Sequence, residues 1–309
     1  MKYTCLYSVV VPVYQGEATL ARLFDEIQAF FEGKSQSFEV IFVSDGAIDH
    51  SWNLIQQLKE KYTTYIKGVQ LTRNFGQHNA TLCGIAQAQG RFILTMDEDL
   101  QHAPAQIEKL ILKQKEKDYD LVYGYFENSK HNFFRRISSK ALKYILQWSL
   151  PDLHPDYSSF RLIKTEIAQA TLQLNHPNPF LDVYLSWVSR HCSSVPVIHY
   201  ERFQGKSAYT LKKLVRHGLH ILFNFSNLPL RAFSYLSFAL FLLSTGYALY
   251  VFFRKIVYND FISGFATIAI FLGMGFGLVF LGIGLLGEYI QNINLKTTQK
   301  PNFLIKEIL

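Results

Sequence analysis

Three cysteines in 309 residues, Cys5, Cys83 and Cys192, are too few and too widely spaced for a disulfide framework or a zinc–thiolate site. They fit a reducing compartment. No G-x-G-x-x-G follows the first apolar run, and no Walker A lysine loop occurs. A dinucleotide-binding or P-loop phosphate cradle is therefore not expected. No internal repeat and no low-complexity tract is present. The opening MKYTCLYSVVVPVY has a short apolar run containing Pro12 and no cleavage-site pattern, so it reads as a first strand and not a signal peptide. Acid is missing from one long stretch. After Glu201 the next acidic residue is Asp260, and between them lie Arg202, Lys206, Lys212, Lys213, Arg216, Arg231, Arg254 and Lys255. An acid-free basic stretch beside apolar segments reads as a patch attracted to anionic headgroups. A nucleic-acid face fits less well, because the aromatics lie in long apolar runs and are not interleaved with the basic residues.

Charge is also missing from two long apolar runs, Ala232–Phe253 and Phe261–Gly287. Each reaches the roughly 20 residues needed to span a bilayer. Only Arg254–Asp260 separates them, so they read as a transmembrane hairpin. Basic residues flank its outer ends (Lys206, Lys212, Lys213, Arg216 and Arg231 before; Lys296, Lys300 and Lys306 after), while the connecting loop carries only Arg254 and Lys255. The positive-inside rule then places the preceding domain and the tail in the cytoplasm. Leu211–Phe225 is amphipathic and reads either as an interfacial helix or as a plain linker. The expected organisation is an α/β domain over 1–204, a basic interface segment over 205–231, two membrane helices within 232–287 (about 232–253 and 261–287) and a tail over 288–309.

Within the first domain, strand-like and helix-like segments alternate. Tyr7–Val13, Phe38–Val43, Ile66–Leu71, Phe92–Met96 and Leu121–Tyr125 are short β-branched or apolar runs. Thr19–Phe31, Ser51–Tyr62 and His78–Ala88 read as helices, the first with Leu20, Leu23, Ile27 and Phe30-Phe31 on one face. This alternation implies right-handed crossovers and a mostly parallel sheet with helices on both faces. Polar residues fall at successive strand ends: Asp45, then Arg73-Asn74, then Asp97 and Asp99. That is the rim where open α/β sheets bind ligands. Asp49 reads as a helix N-cap.

The stretch RFILTMDEDLQH, residues 91–102, carries the sharpest signal. An apolar strand stops abruptly at Asp97-Glu98-Asp99. A solvated acidic turn is the ordinary reading of a lone D-x-D. At the end of a buried parallel strand, however, the i, i+2 carboxylates point into the crevice and offer the oxygen donors that a hard divalent cation uses while sharing a diphosphate. A nucleotide bound without a phosphate loop needs such a neutraliser.

The stretches VVVPVYQGEATL, FEVIFVSDGAIDHSW, LTRNFGQHNATLCGIAQAQGRFILTMDEDLQHAP, RRISSKAL, DYSSFRL, RFQGKSAY and GEYIQNI run from residue 9 to about 293. In order and spacing they resemble the family 2 glycosyltransferases of the GT-A fold. Within that family they are similar to the membrane-anchored enzymes that load a sugar onto a polyprenyl phosphate. The sequence departs from the family's usual pattern at Gln15, Ser44, Ala47, Ser158-Ser159 and Ala208. The Q-x-x-R-W signature of processive synthases is absent, which points to transfer of one sugar.

The resemblance implies a GT-A-type sheet followed by the membrane hairpin, and it implies roles for particular residues. Asp45 would accept a hydrogen bond from the nucleobase, with Pro12 and Tyr14 lining its pocket. Asp97 and Asp99 would hold Mg²⁺ or Mn²⁺ and the donor diphosphate, with Gln101 as a further ligand. Asp156 would be the catalytic base or an orienting group. Arg135 or Arg136, Arg202 and Lys206 would neutralise phosphates of donor and acceptor. The implied activity is inverting transfer from a nucleotide sugar, a UDP-sugar by preference, to undecaprenyl phosphate at the cytoplasmic face of the inner membrane. Another membrane lipid acceptor, or a non-catalytic sugar-nucleotide-binding protein, is the alternative. A homo-oligomer is expected, and no nucleic-acid partner.

Overall fold

The computed structural model describes residues 3–126, 147–174, 179–198, 200, 223, 225, 226, 228–258, 264–297 and 301–309. The chain divides into two compact units, Met1–Leu214 with Gln299–Leu309, and Val215–Thr298.

The first unit is built from β1 (Cys5–Val13), α1 (Leu20–Glu32), β2 (Phe38–Ser44), α2 (Ser51–Lys61), β3 (Ile66–Leu71), α3 (Gln77–Gln87), β4 (Gly90–Thr95), α4 (Ile107–Lys117), β5 (Leu121–Phe126), β6 (Arg161–Lys164), α5 (Thr165–Ala170), α6 (Leu181–Val188) and β7 (Cys192–Val197). The strand β8 (Ile305–Ile308) closes the chain. The described strands form one sheet in the order β7-β5-β6-β4-β1-β2-β3-β8.

The central strands β4, β1, β2 and β3 are parallel, as right-handed crossovers through α1, α2 and α3 require. The flanks differ from the mostly parallel sheet expected. Strand β6 pairs antiparallel with both β4 and β5, and β8 pairs antiparallel with β3. The sheet is therefore mixed.

Strand β1 is buried from Tyr7 to Val13 because it lies mid-sheet with both faces covered. One face packs on α1 through Leu20, Leu23, Phe24, Ile27 and Phe31, all fully buried. That i, i+3, i+4, i+7 spacing is one helical stripe, and each such side chain contributes about 1.5–3 kcal/mol on burial. Leu94 and Met96 from the β4 segment join this same core.

Strand β8 lies in the stretch read from sequence as a tail. Its backbone continues the β3 edge: Thr72 N–H donates to Leu304 O at 3.0 Å, and Leu309 N–H donates to Gly68 O at 2.9 Å. Leu309 packs against the core as a partly buried side chain.

The second unit contains two long helices, α7 (Leu228–Tyr258) and α8 (Phe265–Thr297). Within this unit the Tyr289 hydroxyl donates to Ser226 O at 3.0 Å. Among the described residues no helix is long and apolar enough to cross a membrane. The helices α7 and α8 are 31 and 33 residues long.

Candidate active site

The parallel register keeps four strand ends level. Val13 pairs with Ser44, Ser44 with Gln70, and Val10 with Thr95. The chain therefore delivers Tyr14, Asp45, Arg73-Asn74 and Asp97–Asp99 to one rim of the sheet. Pro12 pairs with Val43 just inside that rim. The open groove lined by Thr4, Phe38, Tyr65 and Gln89 lies at the opposite, N-terminal strand ends and holds none of these residues.

Asp45 is 3% exposed, and its carboxylate accepts the N–H groups of Phe75 at 2.6 Å and Gly76 at 2.9 Å. Burial pushes its pKa up, and the two amide donors pull against that. Gly46 follows with φ of +62°, and a Cβ there would sit 2.4 Å from Asn74 N. Only glycine permits this approach. Asp45-Gly46 thus ties the loop after β3 to the end of β2. Among the described residues two of the roughly four lone-pair sites of the carboxylate are used.

Asp97 accepts from Gln77 Nε2 at 2.5 Å on one oxygen and from Ser159 Oγ at 2.6 Å on the other. Burial raises its pKa; His102, the Ser159 hydrogen bond and Arg161 oppose the rise, and the Asp99 charge adds to it. Asp99 accepts the Gln101 N–H at 3.1 Å across a turn in which Leu100 takes a left-handed φ of +59°. His102 is sandwiched between Phe126 and Phe160, with ring centroids 5.0 Å away on each side.

Glu98 turns away from its two neighbours. It accepts the N–H of Tyr14 at 3.1 Å and that of Gln15 at 3.1 Å. Burial pushes its pKa up to about 7 against the pull of those amides, with Asp49 and Asp97 adding to the rise. The next amides of the same loop are also taken by side chains: Gly16 N–H donates to Ser51 Oγ at 2.9 Å and Glu17 N–H to Asp49 Oδ2 at 3.3 Å. The loop that cradles phosphate in other α/β folds has its donors consumed internally, which agrees with the missing glycine motif.

Asp156 lies on the loop entering β6. Its N–H donates to His154 Nδ1 at 3.2 Å, and its Oδ2 accepts from Ser194 Oγ on β7 at 3.0 Å. Three residues later Ser159 reaches Asp97, so this loop and the acidic turn meet. Behind them Arg161 and Asp182 form a buried ion pair. Arg161 Nε also donates to Thr95 Oγ1 at 2.9 Å, and Thr95 Oγ1 donates to Ser159 O at 2.6 Å.

The structure therefore gathers Tyr14, Asp45, Asp97, Asp99 and the Asp156 loop, with Pro12 beneath. Arg135, Arg136, Arg202 and Lys206 lie outside the described residues. The sequence reading did not single out Gln77, Thr95, Arg161 and Asp182, and it named Glu98 and Ser159 without giving them a role, although all but Asp182 stand in the motif stretches quoted above.

Among the described residues no group of three or more His, Cys, Asp or Glu side chains is arranged to hold a metal. Asp97 and Asp99 fit a different donor set. Two carboxylates supply part of the shell of a hard cation whose other ligands come from a diphosphate and water.

The family described as Glycosyl transferase family 2 matches residues 8–172. The chain is 31% identical over 305 residues to the undecaprenyl-phosphate 4-deoxy-4-formamido-L-arabinose transferase of Pseudomonas fluorescens, covering 98% of this chain and 90% of that protein. It is 28% identical over 305 residues to the transferase of the same name from Shewanella sediminis, covering 98% and 92%. Among solved structures, glucosyl-3-phosphoglycerate synthase from Mycobacterium tuberculosis, in complex with Mn²⁺, UDP-glucose and phosphoglyceric acid, matches the fold with a TM-score of 0.50. That match has 16% identity and covers 71% of this chain and 78% of the other.

Proposed function

Because the chain belongs to glycosyl transferase family 2, we propose that it moves a single sugar from a nucleotide sugar, a UDP-sugar by preference, to undecaprenyl phosphate at the cytoplasmic face of a membrane. One observation carries the reading: the buried central strand β4 ends in Asp97 and Asp99, with Asp97 pinned by Gln77 and Ser159. The near full-length match to relatives named as undecaprenyl-phosphate transferases supports the acceptor.

In this reading Tyr14 and Pro12 line the base pocket and Asp45 offers its remaining acceptor capacity to the base. The donor diphosphate lies over Asp97 and Asp99. A divalent cation, Mg²⁺ or Mn²⁺, held there with help from Gln101, would neutralise the developing charge on the leaving diphosphate. An oxygen of the acceptor phosphate attacks the anomeric carbon, and the bond from that carbon to the nucleoside diphosphate breaks with its electron pair leaving on the diphosphate. One such displacement inverts the anomeric configuration. The acceptor phosphate is already ionised near neutral pH, so Asp156 has no proton it must remove. Fixed by Ser194, its carboxylate orients the acceptor. Arg135, Arg136, Arg202 and Lys206 supply positive charge to the phosphates.

The membrane hairpin belongs to the same proposal. The uncharged runs 232–253 and 261–287 fall mainly within α7 and α8. Large apolar side chains on both helices are exposed, among them Tyr235, Phe238 and Leu243 on α7 and Phe276, Phe280 and Ile283 on α8. A pair of helices this apolar on their outer surfaces suits a lipid environment better than water.

The test uses purified full-length protein in vesicles containing undecaprenyl phosphate, with labelled UDP-, GDP- and dTDP-sugars, including the UDP form of the formamido sugar named for the relatives. The expected result is label in the lipid-phosphate fraction from one UDP-sugar, with the opposite anomeric configuration to the donor. Label only in diacylglycerol, or none from any donor, would overturn the proposal.

A further inference from the structure

We propose that Glu98 is a positioning residue: by accepting the amides of Tyr14 and Gln15 it fastens the β1–α1 loop to the Asp97–Asp99 turn, so that the base pocket and the cation carboxylates keep one geometry. The inference rests on the nucleotide-sugar reading above for the role of Tyr14, but the clasp itself is geometric.

Three contacts define it. Tyr14 N–H lies 3.2 and 3.1 Å from the two carboxylate oxygens, and Gln15 N–H lies 3.1 Å from one of them. The fit is close. A Cβ on Gly16 would stand 2.6 Å from Glu98 Oε2, so glycine there leaves room for the carboxylate. The rest of the loop is fixed from α2 and the loop before it, by Ser51 and Asp49. Glu98 is therefore the link from this loop to β4, while Ser51 and Asp49 link it to β2. Tyr14 is 40% exposed and has its ring free to face a ligand while its backbone is held. A third cation carboxylate is the competing role for an acid in this triplet. Such a role would need the negative charge, whereas the clasp needs only an acceptor oxygen. The two are separable by substitution, because a glutamine keeps an oxygen that accepts both amides and an alanine does not.

The experiment compares full-length wild type, Glu98→Gln and Glu98→Ala. Steady-state kinetics vary the nucleotide sugar and the lipid phosphate separately, and amide hydrogen exchange is followed over residues 14–17. In Glu98→Ala we expect the KM for the nucleotide sugar to rise about tenfold, within the free energy of the two hydrogen bonds lost. The kcat and the KM for lipid should change less than about threefold, since neither depends on the base-pocket loop. The amides of Tyr14 and Gln15 should lose protection. Glu98→Gln should stay close to wild type in all of these. A second pair of variants guards against a folding artefact. Gly16→Ala should also cost protection at Tyr14 and Gln15, and should cost less of it in the Glu98→Ala background, because the carboxylate it displaces is already gone while its 2.9 Å approach to Leu20 Cγ is common to both backgrounds and cancels in the comparison.

The proposal is overturned if Glu98→Gln is as impaired as Glu98→Ala, which would assign the charge as the working feature. It is also overturned if Glu98→Ala loses kcat at constant KM, or if exchange at Tyr14 and Gln15 is unchanged. Should the wild type transfer sugar to no acceptor, the functional reading falls, and the exchange measurement alone then decides the clasp.

Discussion

Replacing Asp182 by alanine should be among the most destabilising single changes in the sheet unit. Asp182, in the first turn of α6, pairs with Arg161 at the start of β6, and the two side chains are 4% and 3% exposed. Burial, the largest influence on Asp182, holds its pKa above the ordinary carboxylate value even with the guanidinium beside it. Desolvation thus outweighs the mutual attraction, so the pair is not a large net stabiliser. Breaking it is another matter. Asp182→Ala leaves a buried guanidinium with the Thr95 hydroxyl and the field of Asp97, and it also takes the acceptor from the buried Tyr123 hydroxyl. Removing one partner of a buried ion pair in this way costs about 3–5 kcal/mol. For a unit of this size about 2–4 °C is lost per kcal/mol, so the unit should melt roughly 6–20 °C lower. The double variant Arg161→Met/Asp182→Leu removes both charges and should recover most of the loss.

Cys83 offers the readout. It is fully buried on α3, and burial pushes its thiol up to about 12, so it is inert until the unit opens. In a Cys5→Ser/Cys192→Ser background it is the single thiol left in the chain. A thiol-reactive fluorogenic dye then reports unfolding of the sheet unit in detergent, separately from the two long helices. A midpoint for Asp182→Ala within about 2 °C of the parent would refute the reasoning. So would a double variant no more stable than the single, since the penalty would then not come from the orphaned charge.

Asp97→Ala and Asp99→Ala should each abolish transfer in the labelled-sugar assay while leaving the Cys83 melting midpoint in place. EDTA should stop the wild-type reaction and Mg²⁺ or Mn²⁺ should restore it; transfer that persists at full rate in EDTA would remove the cation from the mechanism. Asp156→Asn should lower kcat strongly with little change in UDP binding by calorimetry, and a variant that instead loses UDP affinity at constant kcat would move Asp156 to the donor site. Deleting residues 302–309 should lower the melting midpoint of the sheet unit and weaken UDP binding, because β8 covers the β3 edge whose following loop Asp45 holds. Unchanged UDP binding after that deletion would show that the loop is set by Asp45 alone.

The central β-α alternation was legible because β1, β2 and β4 each contain a run of at least three consecutive apolar residues, and because α1 between β1 and β2 carries a complete apolar stripe. The flanks were not, neither the antiparallel β6 and β8 nor the parallel edge strand β7. Strand β6 is four residues, RLIK, and its Arg161 is buried only because Asp182 arrives from a later helix. Strand β7, CSSVPV, is polar and holds Pro196, a residue usually confined to edges. Strand β8 reads IKEI, whose alternating charges resemble a solvated tail until β3 supplies its hydrogen bonds. At the site, Asp45, Asp97 and Asp99 were readable as carboxylates at strand ends. Ser159 was not, since its contact with Asp97 spans 62 residues. Glu98 was hidden by its own neighbours, because in sequence it is one more acid in an acidic triplet.

The different work of those three acids follows from the two-residue period of the strand that precedes them. Leu94 and Met96 point into the core shared with α1, while Thr95 meets Ser159 and Arg161 on the other side. Carried past the strand end, the alternation sends Glu98 to the α1 side, where it meets the β1–α1 loop at Gly16. It sends Asp97 with Thr95, to Ser159 and to Gln77 at the start of α3. A side-chain period of two thus separates an acid that meets the β1–α1 loop from an acid that meets Gln77 and Ser159, although the two are adjacent in the chain. The length of β4 is constrained for the same reason. One residue inserted or removed between Thr95 and Asp97 would exchange the two faces. It would leave the amides of Tyr14 and Gln15 without their acceptor and turn the carboxylates proposed for the cation toward α1, so the proposed chemistry at this rim depends on the register of the strand as much as on the acids themselves.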